Sequence, residues 1–442
     1  MEMPRRALGQ LECWLRLGMV LATLSGAAGN AAEALHARAG IRAQEAGGHI
    51  RALADDAFEG REAGRRGGRA AGRYVADAIA PLGLEPAGDQ GSLFQTFASR
   101  QGMLRNVLAL LPGRDPAVRN EVVMVGAHYD HVGYGNARNS FGPFGYVHNG
   151  ADDNASGVAG LIEIAEALVG LPQPPRRSVL LAFWDGEEQG LLGSKQFLKD
   201  RPVALENRRL VFAINLDMIG RLRDNTLSVY GTRSAVGLEE LVTRLNGPLE
   251  QTPLQLVFNW KIEPDSDHYT FLQAGIPTLM FHTGLHDDYH RPSDDAHRVN
   301  LSGLEPVARL TFDTVLQVAD AEEACPAFRP ACRAESNATK SQLQARAVLP
   351  VDSPGRWGIG IRADLANPTA PLVVAIRPGS PADRGGLQQN DRILEIAGVP
   401  ISGQHDLMRK LAAVEQAASV EVLVARRGRL FMLVWTDRHQ PT

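Results

Sequence analysis

The stretch SVLLAFWDGEEQG, residues 178–190, sets the reading of the whole chain. Residues 179–184 form a short apolar run, β-branched and aromatic-rich, that stops at a turn, which is the pattern of a buried strand. The turn carries Asp185, Gly186, Glu187 and Glu188. Adjacent carboxylates at the tip of a buried strand repel one another and share little water, so their charge must be offset. Alone, a Glu-Glu pair reads as a solvated loop. Other apolar runs here end the same way, and that shifts the balance.

Strand signals at 106–111, 121–127, 179–184, 210–216 and 277–281 are interleaved with helix signals at 67–84, 157–169, 191–198, 237–245, 266–274 and 304–321. This alternation predicts an α/β fold, a mainly parallel central sheet with helices on both faces. Residues 324–354 are rich in Pro, Ser and Ala and read as a linker. Beyond it, strands at 357–361, 372–376, 392–396, 419–425 and 430–435, with one helix at 403–414, predict a small mainly-β domain. The expected divisions are 1–32, 35–323, 324–354 and 355–438.

A formal net charge of −4 over 442 residues leaves no overall footprint for nucleic acid. The Arg/Gly-rich residues 60–73 read as a loop and the polar face of a helix. At the start, Arg5 and Arg6 precede an apolar segment at 15–24 and a run of small residues, the pattern of an export signal. The expectation is a periplasmic or secreted protein. That segment, broken by Arg16 and Gly18, is too short for a stable membrane span, and no later segment is long enough. Cys13 lies within it. Cys325 and Cys332, in CPAFRPAC, are expected to form a local disulfide in an oxidising compartment.

The strand ends carry the chemistry. One run ends in His128-Tyr129-Asp130, another in Glu187-Glu188 and a third in Asp217. The loop before residue 157 carries Asp152-Asp153-Asn154, and the loop after 277–281 carries Tyr289-His290. Ligands of open parallel sheets bind beyond the carboxyl ends of the strands. The tips therefore gather two histidines and several carboxylates with no matching Lys or Arg, and such a crevice needs a cation. Nitrogen plus carboxylate ligands suit Zn²⁺, with Mn²⁺ or Co²⁺ as substitutes. Two divalent ions balance Asp153, Glu188, Asp217 and one bound hydroxide, whereas one ion leaves an excess of negative charge. His128-x-Asp130 fits a ligand whose other ring N–H is held by the aspartate.

Taken together, HYDH at 128–131, GADDNASG at 150–157, FWDGEEQGLLGS at 183–194, NLDMIG at 215–220 and YHRPSDD at 289–295 resemble the two-zinc aminopeptidases of metallopeptidase family twenty-eight, of the bacterial leucyl type. The similarity spans roughly 53–318 and includes LADDAFEGREAGRRGG. It implies the zinc aminopeptidase fold and two Zn²⁺ ions bridged by Asp153, whose peptide to Asn154 is cis. It further implies that Glu188 and His290 complete one site and His128 and Asp217 the other. Glu187 is then the general base that moves a proton from the metal-bound water to the leaving amine, and Tyr289 stabilises the oxyanion. Asp267-His268 takes a supporting position. No protease-associated domain interrupts the core, so an open site is expected. The insertion YGNARNSFGPFGY, 134–146, either rims the pocket or is a mobile surface loop.

The C-terminal GIGI at 358–361 and VVAIRPGSPADRGGLQQNDRILEIAGVPI at 373–401 resemble a PDZ domain of bacterial envelope proteases, with Asn390 where glycine is usual. This implies a C-terminal peptide ligand, held by backbone N–H groups and added as a strand. The leading reading is an enzyme that removes N-terminal residues from peptides. A carboxypeptidase or dipeptidase on the same core would need Arg221 or Arg291 to hold a substrate carboxylate. The full set of five ligands disfavours a one-zinc cyclase. The same set, with Glu187, disfavours a catalytically dead scaffold presenting its PDZ domain.

Overall fold

The computed structural model describes residues 28–100, 102–247, 253–347 and 355–437. The expected export segment, with Cys13, lies outside the described residues except for its last few positions, which begin the helix Ala28–Ala39. Among the described residues no helix is long and apolar enough to cross a membrane. The chain forms two compact units, Met1–Ser228 with Glu263–Cys325, and Val229–Ile262 with Pro326–Thr442.

The strands up to residue 282 are β1 (Glu85–Pro86), β2 (Phe94–Ser99), β3 (Gly102–Leu111), β4 (Glu121–His128), β5 (Ser178–Trp184), β6 (Arg209–Leu216), β7 (Thr226–Tyr230), β8 (Gln255–Asn259) and β9 (Thr278–His282). In the first unit the sheet runs β1-β3-β5-β4-β6-β9, with β2 also on β3. β5, β4, β6 and β9 are parallel; β3 pairs antiparallel with β5, β1 and β2. The mostly parallel sheet matches the sequence expectation. The β2 arm escaped it because FQTFAS has too few apolar positions to mark a strand.

Alternation along β5 sends Leu180, Ala182 and Trp184 to one face, where they join Phe197 and Phe271 in a common core. The Trp184 ring lies 5.3 Å from Phe197 and 5.8 Å from Phe271. Gly126 on β4 makes room for it, since a Cβ there would sit 2.7 Å from Trp184 Nε1. The helices Gly157–Val169 and Leu301–Asp320 pack on each other and on β4, β5 and β6.

The second unit contains β10 (Ile359–Arg362), β11 (Leu372–Ile376), β12 (Arg392–Ile396), β13 (Val399–Pro400), β14 (Ser419–Arg426) and β15 (Arg429–Thr436). They form an antiparallel sheet in the order β10-β11-β12-β14-β15, with β13 on β12, around Trp357, Ile393, Leu407, Val422 and Trp435. Residues 229–262 belong here too, a division the sequence pattern did not suggest. A buried charge network explains it. Arg392 Nε donates to Glu239 Oε1 at 2.7 Å and its Nη2 to Asp364 at 2.7 Å. Asp364 also accepts Arg233 at 2.9 and 3.0 Å, and Arg233 lies 3.7 Å over the Trp260 ring.

Part of the expected linker is folded. Pro330–Ala334 is a 3-10 turn, and Ser336 and Thr339 form a reciprocal cap on the helix Asn337–Gln344. Glu335, between them, accepts both Arg233 and Arg329. Residues 348–354 lie outside the described residues. Cys325 and Cys332 are free thiols, not the expected disulfide. Cys332 is buried in the turn of the second unit, whereas Cys325 closes the first.

Glu163, on the helix Gly157–Val169, is buried and accepts the Arg42 N–H at 2.9 Å. Burial first, then Glu166 and Glu45, pushes its carboxyl up to about 7. A raised carboxyl binds its proton more tightly when folded, so stability falls as pH climbs from the usual carboxylate range through about 7. Glu163→Gln is expected to raise the melting temperature at pH 8 and to change it little at pH 4. Thermal melts at both pH values check this.

Candidate metal centre

The acidic turn is held by its neighbours. Asp185 N–H donates to Asn106 Oδ1 at 3.1 Å, and Asp185 Oδ2 accepts Arg105 N–H at 2.9 Å. Gly186, at φ +73°, then reverses the chain. Just beyond β4, Asp130 accepts the Glu187 N–H at Oδ1 (3.0 Å) and the Glu188 N–H at Oδ2 (3.3 Å). One buried carboxylate thus fixes both glutamates. The spacing His128-x-Asp130 predicted an aspartate holding the His128 ring. His128 Nδ1 faces that carboxylate at 3.7 Å and lies 3.2 Å from the Asp130 carbonyl oxygen, so Asp130 stands against the ring while also holding the turn.

The five expected ligands come together as two clusters. His128 Nε2 lies 3.4 Å from Asp153 Oδ1 and 3.5 Å from Asp217 Oδ1. His290 Nε2 lies 3.0 Å from Asp153 Oδ2 and 3.2 Å from Glu188 Oε2. The two oxygens of Asp153 face different clusters, as a bridging carboxylate requires, and its peptide to Asn154 is cis. Ligand bonds of about 2.0–2.2 Å in a tetrahedron place donor atoms roughly 3.3–3.6 Å apart, so these spacings are close to what Zn²⁺ requires. Glu187 belongs to neither group; its Oε2 is 4.0 Å from His128 Nε2. The Tyr289 ring stacks on His290 at 3.9 Å. Asp267 and His268 are fully buried and outside both clusters.

Charge crowding shows in the titration of these groups. Burial pushes Glu187 well above the usual carboxylate range, and Glu188, Asp267 and Asp217 add to it against His128. His290 rises to about 11, because Glu188 and Asp153 outweigh its burial. His128 likewise rises, Glu187 and Asp217 prevailing over burial. Burial pushes Asp267 up to about 7 and His268 down to about 4. Protons held this firmly by histidines express a surplus of carboxylate, and a dication would compete for the same ring nitrogens.

Two further residues of the centre have no motif spacing that marks their role. His131 stands in HYDH beyond the expected ligand, yet it joins Asp153, Glu188 and His290 in one cluster. Arg61 looks like surface within a polar, Gly-rich stretch, yet it is completely buried. Its five N–H groups serve five carbonyls: Tyr129 from Nε, Leu53 and Asn149 from Nη1, Gly150 and Asp153 from Nη2. Burial pushes this guanidinium down to about 10, against Asp153 and Asp294. The available signal was Gly60, whose φ of +66° and closeness to the Gly133 and His148 carbonyls admit no side chain.

Around the centre, Asp294 Oδ2 accepts the N–H groups of Asp152 and Asp153, while its Oδ1 accepts Arg221 at 2.9 Å. Arg221 also binds Asp288, and Arg291 donates to the carbonyls of Phe141 and Gly142. Both arginines considered for a substrate carboxylate are therefore engaged by the chain. The insertion at 134–146 rims the site: Phe141 N–H and Ser140 Oγ both donate to the His290 carbonyl, at 3.1 and 3.0 Å. The exposed Phe141 ring lies 6.1 Å from Tyr289.

Residues 106–315 match Peptidase family M28, and residues 372–426 match a PDZ domain. Leupeptin-inactivating enzyme 1 of Streptomyces exfoliatus is 29% identical over 237 residues, 53% of this chain and 47% of that protein. Aminopeptidase YwaD of Bacillus subtilis is 25% identical over 225 residues, 46% of this chain and 42% of that protein. The chain thus spans less than half the length of these curated relatives. Among solved structures, the LapA aminopeptidase of Legionella pneumophila is similar with a TM-score of 0.54 at 16% identity, over 66% of this chain and 75% of that one. BSAP, a zinc aminopeptidase from Bacillus subtilis, gives 0.51 at 16% identity, over 66% and 98%. At these identities the likeness speaks for the fold.

A lysine at position 61 cannot serve five carbonyls from one nitrogen, and each buried carbonyl left bare costs about 1–3 kcal/mol. Arg61→Lys is expected to lower the unfolding free energy by at least that much, read from urea denaturation.

Proposed function

Since residues 106–315 make an M28 peptidase domain and residues 372–426 a PDZ domain, we propose that this chain is a two-zinc aminopeptidase releasing N-terminal residues from peptides. The observation that carries the reading is the division of Asp153, one oxygen toward His128 and the other toward His290. The donors, imidazole nitrogen and carboxylate oxygen, suit zinc. Zinc bound there would polarise the scissile carbonyl and make the attacking water more acidic.

The chain's own residues supply the rest. Glu187 takes a proton from the attacking water and delivers it to the leaving amine, standing outside both ligand clusters with its Oε2 4.0 Å from His128 Nε2. Asp130 keeps Glu187 and Glu188 in separate positions by gripping both backbone N–H groups. Tyr289, kept protonated by burial and by Asp153 and Glu188, donates its hydroxyl to the oxyanion.

A substrate presenting its carboxylate to the site would need a cationic side chain to hold it, so the substrate is read as presenting its amine. The occupation of Arg221 and Arg291 supports the same choice. The second unit is read as a peptide-binding module, its edge strand β10 receiving a C-terminal segment as an added strand. Export to the periplasm or beyond belongs to the same proposal and rests on residues 1–32.

Glu187→Gln is expected to lower kcat by about 10²–10⁴-fold while the protein keeps its zinc, as checked by steady-state kinetics beside elemental analysis. Leucyl-anilide with a free amine is expected to be cleaved and its acetylated form left intact. Turnover of amine-blocked peptides that carry a free carboxylate would select the carboxypeptidase reading instead.

A further inference from the structure

We propose that His131 is a positioning residue of the metal centre: its Nδ1–H holds Oε1 of Glu188, so that Glu188 meets its ion through Oε2 alone. The inference rests on the metal reading above but not on the choice of substrate.

The two oxygens of Glu188 face different partners. Oε1 is 2.9 Å from His131 Nδ1, and Oε2 is 3.2 Å from His290 Nε2. His131 Nδ1 is 3.8 Å from the nearest oxygen of Asp153, too far to bond, and both Asp153 oxygens already face His128 and His290. The His131 ring is buried and meets the His290 ring edge-on at 5.5 Å. Gly150 makes room for it, since a Cβ there would approach His131 Cδ2 to 2.5 Å. Its main-chain N–H donates to the Arg61 carbonyl at 3.2 Å, which ties it to the residue of the buried guanidinium.

The other ring nitrogen, Nε2, is buried without a hydrogen-bond partner. Leaving a buried polar atom bare is unfavourable, so packing alone does not explain a histidine here. The Nδ1 contact does. A carboxylate with both oxygens free can grip one ion with both and fill a coordination position. Occupying Oε1 with a donor prevents this and keeps a position open for water or substrate, which a catalytic zinc requires. Partners of this kind typically change metal affinity by about 10–100-fold.

The test uses the full chain loaded with zinc, in the wild type, His131→Phe and His131→Gln, with chelator competition and metal content as the readout. For His131→Phe, one of the two ions is expected to dissociate with an affinity lowered by about 10–100-fold while the other is unchanged. His131→Gln, which retains an N–H donor, is expected to recover most of the loss. If His131→Phe fails to fold, the comparison of His131→Gln with wild type carries the test. Two outcomes overturn the proposal: unchanged affinity in the phenylalanine variant, and complete loss of one ion in the glutamine variant, which would make His131 a ligand. A wild-type protein that binds no zinc would overturn the metal reading itself, a result distinct from either.

Discussion

Repulsion among carboxylates governs this structure. Asp130, Asp153, Asp217 and Asp267 are buried within reach of Glu187 and Glu188, whose side chains keep only 10% and 8% of their exposure. No lysine among the described residues joins them, and Arg61, the buried cation beside them, spends every N–H on backbone carbonyls. Such a group is tolerable only if its charge is neutralised by protons or by metal. The raised His128 and His290 show the first route. The paired distances around Asp153 show how the second would be arranged.

The sheet brings these groups level. In the parallel register His128 stands opposite Trp184, Gly126 opposite Asn215, and Leu216 opposite Phe281. Each strand therefore delivers its acidic or imidazole tip at nearly the same height. Backbone donors then aim the tips. Asp130 takes two N–H groups of one turn, Asp294 takes two of another, and Arg61 gathers the carbonyls behind them. Precision at the centre comes from this scaffold of buried hydrogen bonds.

Much of this was legible because the chemistry is written in dense local motifs. His128, Asp153, Glu188, Asp217 and His290 each sit in or beside a strand-end loop, where period and composition mark the apolar run and its stop. Roles that depend on side-chain direction were not legible. Asp130 stands beside His128, but sequence spacing does not tell that the same carboxylate also holds a turn. His131 and Arg61 carry no periodic signature, and their neighbours come from distant parts of the chain. The same is true of residues 229–262, whose assignment to the second unit depends on charge pairs more than a hundred positions apart.

That charge network bears on how such a chain evolves. Glu239 and Arg233 lie in one segment, Asp364 and Arg392 in another, and all four are buried. Removing the partner of a buried ion pair typically costs about 3–5 kcal/mol. A recombination event that moved the C-terminal module alone into another gene would strand ionic groups on both sides of the cut. Arg233, Glu239, Asp364 and Arg392 thus tie the excursion at 229–262 and the C-terminal module into one unit of the fold.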